Sequence, residues 1–340
     1  YNINPGNVGN IKFDVSRSPS NTSGFGWDNL LTYITNFGDH NLTLLGGQTM
    51  ETSTNEVLNA SGTGYGGYND NFDALNFTPF NQSVGGYTSG WSAFGFLGRI
   101  SYDYAGKYLL QVNFRADASS RFAKKNRWGY FPSVSVGWKI NSESFLSDAK
   151  WISLLKIRAG WGQLGNNRIR NFEYKTLVGN GGHYIYGNGI PTLSSAMSIT
   201  QYGNQDIRWE KTESYNAGID FNLFSNRLTT TLDFFVKNTN DMLIEVPIVY
   251  SAGYTNTPVQ NAGSVRNIGV EFQINYKNNF GKLRYEIGGN ISKIKNKVTS
   301  LGKYGEPILG GNLGSPNPLG YTNRTVLDLS LIHISEPTRQ

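Results

Sequence analysis

The segment Lys107–Asp117 places Tyr108, Leu110, Val112, Phe114 and Ala116 on one face and Lys107, Gln111, Asn113, Arg115 and Asp117 on the other, with Leu109 the exception. A period of two residues marks a β-strand with one apolar and one wet face. The same period returns in Arg227–Lys237, where Leu228, Thr230, Leu232, Phe234 and Val236 alternate with Arg227, Thr229, Asp233 and Lys237. It returns again in Asn267–Lys277 through Ile268, Val270, Phe272, Ile274 and Tyr276, and in Lys282–Ile291 through Leu283, Tyr285, Ile287 and Ile291. Shorter versions stand at Ser133–Ile140 and Leu155–Trp161. The length of these runs is the strongest constraint. Strands of soluble proteins average about 5–6 residues, whereas these alternate for about ten, the length that crosses a bilayer at a tilt.

The connections alternate in length as well. Phe37-Gly38-Asp39, Ala105-Gly106, Phe224-Ser225-Asn226 and Asn279-Phe280-Gly281 read as tight turns, with Asn141–Lys150 a longer member of the set. Between them lie the Gly/Asn/Tyr-rich stretches Glu51–Gly90, Gly162–Arg208 and Asn240–Ser264, and the shorter Ser119–Tyr130. Short turns on one side and long loops on the other are the arrangement of outer-membrane barrels. Tyr104 and Tyr108 flank one short turn, and Trp138 and Trp151 another, as in an aromatic girdle at a membrane interface. About ten strands are predicted, near 26–37, 40–50, 91–104, 107–118, 131–140, 151–162, 210–223, 226–238, 264–278 and 282–298, and residues 1–25 can hold the end of one more. Gly302–Gly320 reads as an external loop with no closing strand after it, so the expected fold is all-β: an incomplete antiparallel transmembrane barrel.

Composition narrows the function classes. The chain is 38% hydrophobic, 14% aromatic and only 16% charged, with 41 glycines; a soluble globular enzyme carries about 25% charged residues, and disordered chains lack aromatics. With no cysteine, thiolate metal sites and disulfides are excluded. His40, His183 and His333 are far apart and have no ligand spacing. No apolar run reaches the roughly 18 residues of a spanning helix, which leaves the closed barrel as the other way across a bilayer. The net charge of +6 is spread along the chain and reads as weak attraction to anionic surfaces.

Several further segments stand in a fixed order along the chain. They are Gly98-Arg99-Ile100-Ser101-Tyr102-Asp103-Tyr104 with Lys107-Tyr108-Leu109-Leu110, Arg115-Ala116-Asp117-Ala118-Ser119-Ser120-Arg121-Phe122, Phe131-Pro132-Ser133-Val134-Ser135-Val136-Gly137-Trp138, and Glu143-Ser144-Phe145-Leu146. Further on come Leu155-Lys156-Ile157-Arg158-Ala159-Gly160-Trp161-Gly162 with Gly165-Asn166, Trp209-Glu210-Lys211-Thr212, and Thr239-Asn240-Asp241-Met242-Leu243. Asn261-Ala262-Gly263, Asn267-Ile268-Gly269-Val270-Glu271, Asn290-Ile291-Ser292 and Lys295-Asn296-Lys297-Val298 complete the set, which covers residues 26–325. Together these segments resemble the SusC/RagA-type TonB-linked outer-membrane transporters. The resemblance implies a barrel of about 22 strands with a plugged lumen, in the outer membrane of a Gram-negative bacterium. It also implies import of oligosaccharides or peptides under a SusD-like surface lipoprotein, powered through the TonB complex. Against that pattern the plug, the TonB-contacting part, the first half of the barrel and the closing strands are missing. Residues 1–328 are thus expected to be barrel, whereas 329–340 resemble the translation of a sequencing adapter.

No motif calls for a cofactor or for catalysis. Asp117-Ala118-Ser119-Ser120-Arg121 could be read as a nucleophile with acid and base, but no histidine is near, and hydrogen bonds that pin the exit loop are the stronger reading. Arg99, Arg115, Asp117, Lys156, Arg158, Asp220 and Asp233 are expected on the lumenal face as ion-paired wall contacts. The Gly302–Gly320 glycines lack the lysine and hydroxyl of a phosphate loop, and no RNP-like run or basic helix points to nucleic acid. In the long loops Tyr65, Tyr68, Asn69, Tyr184, Tyr186 and Asn188 are candidates for substrate contact, because flat rings stack on sugar faces and amides pair with hydroxyls. Packing between loops or against the lipoprotein is their competing role. Two other functions fit less of the sequence: a TonB-dependent receptor for a siderophore or vitamin, and a secreted β-rich adhesin or carbohydrate-binding module, whose apolar faces would meet in a packed core.

Overall fold

The computed structural model describes residues 12–65, 75–78, 80–186, 192–246, 258–301, 308–310 and 323–325. Among the described residues seventeen strands follow in chain order: β1 (Lys12–Arg17), β2 (Ser20–Phe37), β3 (His40–Tyr65), β4 (Phe80–Tyr104), β5 (Tyr108–Ser119), β6 (Trp128–Lys139), β7 (Ile152–Asn166), β8 (Leu177–Tyr186), β9 (Thr192–Gln201), β10 (Glu210–Leu223), β11 (Leu228–Asn240), β12 (Leu243–Glu245), β13 (Val259–Asn261), β14 (Gly263–Phe280), β15 (Leu283–Leu301), β16 (Ile308–Gly310) and β17 (Asn323–Thr325). Eleven of them form one sheet, in the order β1-β3-β4-β5-β6-β7-β10-β11-β14-β15 with β2 also on β3. The registers recorded within it are antiparallel throughout. β8 with β9, β12 with β13 and β16 with β17 make three separate hairpins.

The chain divides into two compact units, Tyr1–Trp27 with Met50–Ala93, and Asp28–Thr49 with Phe94–Gln340. In the first, β1 and β2 follow one another along β3: Arg17 pairs with Ala60, and the Leu58 amide donates to the Pro19 carbonyl. The break between them falls at Ser18-Pro19, where proline has no N–H to offer a ladder. β1 and β2 therefore count as one column, and the expected ten strands are matched by ten columns. β2, β3 and β4 run well past the predicted limits, through stretches expected as loop. Thr52-Ser53-Thr54-Asn55-Glu56 shows why. Polar residues on both faces erase the hydrophobic period while the backbone ladder continues.

In the second unit the alternation becomes a two-faced wall. Tyr108, Leu110, Val112 and Phe114 of β5 share a face with Val134, Val136 and Trp138 of β6, as the pairs Leu110↔Val136 and Val112↔Val134 require. The face continues through Ile219↔Leu232, Phe234↔Val270 and Phe272↔Ile291. These side chains stay open to the surroundings: Val136 is 50% exposed, Phe234 52% and Ile291 69%. A packed sandwich would bury them, so the adhesin alternative loses its structural basis. The band is what a lipid-facing wall presents.

The short turns seal one end. Ala105 and Gly106 take positive φ of 53° and 66°, and the Asp103 carboxylate accepts the Gly106 N–H at 2.7 Å. Phe224, Ser225 and Asn226 form a run of three left-handed residues without glycine. At the same end Tyr104, Tyr108 and Trp138 stack in a row with centroids 6.2 and 6.3 Å apart. His40 lies beside them, its Nδ1 2.6 Å from the Tyr102 hydroxyl and its ring 5.0 Å from that of Phe37. This is the girdle that the sequence placed at the short turns.

Glu143, in the turn after β6, fastens that row. Its Oε1 accepts from the Tyr108 hydroxyl at 2.7 Å and the Trp138 indole at 3.0 Å, and Lys107 reaches Oε2 at 3.1 Å. Hydrogen bonds from Tyr108, then Trp138, then Lys107 hold the carboxyl below the usual glutamate range. A depressed carboxylate stabilises the fold above its unfolded value of about 4.3 and loses that contribution as pH falls through the folded value. Glu143→Gln is therefore expected to lower the unfolding temperature at neutral pH. The gap from wild type should close as pH drops below about 4; a gap independent of pH would rule out the charge as its source.

Candidate functional site

At the long-loop end the strands are tied together by a small core. Phe122, Phe131, Ile207, Trp209 and Val259 cluster there, with Phe122 and Ile207 fully buried, and Ile169 and Leu243 pack against them. The Trp209 ring lies 5.2 Å from Phe122 and 5.3 Å from Phe131, and its indole N–H donates to the Arg127 carbonyl at 2.9 Å. Glycines make room for this packing. A Cβ on Gly165 or on Gly129 would overlap the Phe131 ring, which gives the Gly165-Asn166 segment a physical reason.

Polar bonds extend the core into a platform. Ser119 is buried, accepts from the Asn167 amide at 3.1 Å and the Arg121 N–H at 3.3 Å, and its own N–H donates to the Arg127 carbonyl. The Arg121 side chain donates to the Asn171 side-chain oxygen and the Asn167 carbonyl. The residues that could be read as a nucleophile with its acid and base thus hold a loop in place. Buried Glu173 is ion-paired with Arg170, which also approaches Glu245 at 3.5 Å.

The open surface of the platform is a polar basin of about 780 Å³, lined by Tyr202, Gly203, Asn204, Gln205, Asp206, Arg208, Pro258, Gln260 and Asn261. Its floor is rigidly bonded. Asn261 accepts the Arg208 N–H at 3.0 Å and donates to the Arg208 and Asp241 carbonyls at 2.8 Å each. Arg208 clamps the Asp241 carboxylate with two bonds, of 2.6 and 3.1 Å. Lys125 holds Asp206 at 2.5 Å, and Asn204 donates to the Val259 carbonyl. The hydrogen bond from Lys125 lowers the Asp206 pKa, and that from Arg208 to Asp241 raises the arginine's. Both groups stay charged at any physiological pH, so they can bind and orient but not shuttle protons. Amides, a phenol and fixed charges suit a ligand rich in hydroxyls or peptide groups.

None of the sequence-named candidates among the described residues lines this basin. Tyr65 ends β3, with its backbone opposite Lys12. Tyr184 and Tyr186 lie on β8, opposite Ser194 and Thr192 of β9, in a region expected as loop. Tyr68, Asn69 and Asn188 lie outside the described residues, as does 326–340 with the adapter-like tail. The basin was not foreseen, although Trp209, Asp241 and Asn261 all stand in the motifs of the resemblance; what was lacking was the fold that brings them together.

On the polar face of the wall part of the expected ion pairing forms, through Arg158 and Arg115 but not Arg99 or Lys156 among the described residues. Arg158 bridges Asp220 at 3.3 Å and Asp233 at 2.6 Å. Arg115 pairs with Asp117 at 2.7 Å, and Arg99 donates to Asn113 at 2.8 Å. Lys156 sits opposite Asp220 in the register.

Comparison with known proteins fits this geometry. The family model described as TonB dependent receptor-like, beta-barrel matches residues 1–333. The chain belongs to the TonB-dependent receptor β-barrel family. It is 38% identical over 209 residues to the TonB-dependent receptor SusC of Bacteroides thetaiotaomicron, covering 61% of this chain and 21% of that protein. With TonB-dependent receptor P39 of Formosa agariphila it shares 35% over 271 residues, 79% of this chain and 25% of the relative. The structure of the RagAB peptide transporter superposes with a TM-score of 0.78 at 25% identity, covering 93% of this chain and 33% of that one. The outer membrane transporter YddB of Escherichia coli, at TM-score 0.56 and 11% identity over 83% of this chain and 34% of that one, shares the fold alone. The chain thus spans a fifth to a third of the length of these relatives. As a receptor barrel of SusC/RagA type it is an integral outer-membrane wall.

Proposed function

We propose that the full-length protein imports oligosaccharides or peptides across the outer membrane, working with a SusD-like surface lipoprotein and energised through TonB. The observation that carries this reading is the pairing of an exposed apolar wall with a polar, densely hydrogen-bonded platform at the long-loop end, in a chain superposing on RagAB over 93% of its length. The platform basin around Asn204, Gln205 and Gln260 is proposed as a cargo-contacting surface, with Tyr65 of β3, Tyr184 and Tyr186 of β8, and Tyr68, Asn69 and Asn188 as further contacts.

In-frame deletion in the source organism is expected to abolish growth on one class of polymer, glycan or peptide, while growth on the free monomers persists. The full-length protein should co-purify with a lipoprotein. Loss of growth only under iron or vitamin limitation, without a lipoprotein partner, would replace this reading with the chelate receptor.

A further inference from the structure

One face of β15 changes character abruptly along its length. Tyr285, Ile287 and Ile291 continue the apolar face, and the next three positions on that face are Lys293, Lys295 and Lys297. The register fixes the side: Ile287 pairs with Tyr276 and Ile291 with Phe272, whereas Lys293 pairs with Val270, Lys295 with Ile268 and Lys297 with Arg266. The acids of these two strands, Glu271 and Glu286, take the opposite face by the same alternation. Lys293, Lys295 and Arg266 enter no ion pair among the described residues and are exposed. A further strand along the outer edge of β15 would lie beside this face and leave it uncovered.

Height in the membrane follows from strand geometry. Lys293 lies ten residues beyond Leu283, at the short-turn end of β15. At about 3.3 Å per residue and a tilt of 35–45°, ten residues climb about 25 Å, the height of the apolar band of such a barrel. The cations therefore begin where the hydrocarbon ends, on the long-loop and hence external side. Their aliphatic stems can cover the neighbouring Val270 and Ile268 while the ammonium groups rise to the head-group level.

We infer that Arg266, Lys293 and Lys295 form a docking site for the phosphate groups of the glycolipid in the outer leaflet. The charge complementarity is direct, since cations on a lipid-facing surface at head-group depth bind anionic lipid heads. No carboxylate of β14 or β15 lies on this face, and Glu213 of β10, level with Arg266 but two strands away, already accepts from the Trp161 indole and the Tyr215 hydroxyl.

The site is tested in the full-length protein in detergent, with lipid A as the probe and native mass spectrometry as the readout. Wild type should retain lipid A, and 0.5 M salt should strip it. Lys293→Gln/Lys295→Gln/Arg266→Gln should lower retention at least tenfold, whereas Lys293→Arg/Lys295→Arg should preserve it. Dephosphorylated lipid A should bind wild type no better than the triple variant, and inorganic phosphate should not displace the intact lipid. Retention unaffected by the triple substitution, by salt or by dephosphorylation would overturn the proposal. Displacement by inorganic phosphate would reassign the cations to a free anion. The inference rests only on the outer-membrane setting, so growth on the cargo polymer is expected to be unchanged in the triple variant.

Discussion

Trp209→Ala is expected to unfasten the loop platform while leaving the strand wall folded. Trp209 is 7% exposed and touches both Phe122 and Phe131, so its removal opens a cavity that three separate chain segments cannot all collapse into. Deleting a buried aromatic of this kind costs about 3–5 kcal/mol, and the Arg127 carbonyl loses one of its two donors, keeping the Ser119 N–H. That exceeds what the solvent-exposed bonds of the basin can supply, so the segment around Lys124 and Lys125 should open locally. Trypsin added to intact cells is then expected to cut there, whereas wild type resists. Trp209→Phe keeps most of the apolar fill and loses only the indole bond, about 1–2 kcal/mol, and should be cut at an intermediate rate. Equal cutting of wild type and Trp209→Ala would mean that the aromatic cluster does not hold the loops. The basin lies on the same cluster, so on the proposed cargo-contacting reading the opened variant should also lose cargo binding with no change in the wall.

The contrast between wall and platform explains what could be read in advance. The wall was legible because lipid on one side and water on the other write a period of two directly into residues such as Leu110, Val112 and Phe114. The turns were legible because Gly106 and Gly281 mark backbone that must take positive φ. Past the membrane this signal fades. In the extensions of β3 and β4 polar residues stand on both faces, and the hairpin β8–β9 carries Gly179, Gly181 and Gly182 where a side-chain pattern would be. The platform has no local signature, because Phe122 and Ile207 are far apart in the chain and cluster at one end of a wall in which β6 pairs with β7 and β7 with β10. The choice of ion pairs was hidden for the same reason. That Arg158 faces the lumen follows from alternation, but that it reaches Asp233, two strands away, depends on a glycine between them.

That glycine is Gly218, and replacing either it or Arg158 is expected to loosen the wall. In the register Gly218 of β10 stands between Arg158 of β7 and Asp233 of β11. Arg158 crosses over it, and a Cβ there would sit 2.7 Å from the guanidinium carbon and overlap an Asp233 oxygen. Arg158→Ala leaves two carboxylates facing each other without their cation. With the three side chains 32%, 21% and 24% exposed, the cost is set below the 3–5 kcal/mol of a fully buried pair, at about 2–3 kcal/mol. Gly218→Ala keeps all three charges and breaks the crossing, at about 1–2 kcal/mol. Arg158→Met/Asp220→Asn/Asp233→Asn removes the charges together and should recover most of the loss, because a neutral set leaves no carboxylate unpaired. Measured as the temperature at which the full-length protein loses compact migration on a gel, the order should be Arg158→Ala lowest, then Gly218→Ala, then the triple variant close to wild type. A triple variant as damaged as Arg158→Ala would trace the loss to packing of the arginine stem instead of the ion triad. Recovery in the triple variant together with damage in Gly218→Ala would show that the wall is braced across β10 through a position kept free of a side chain.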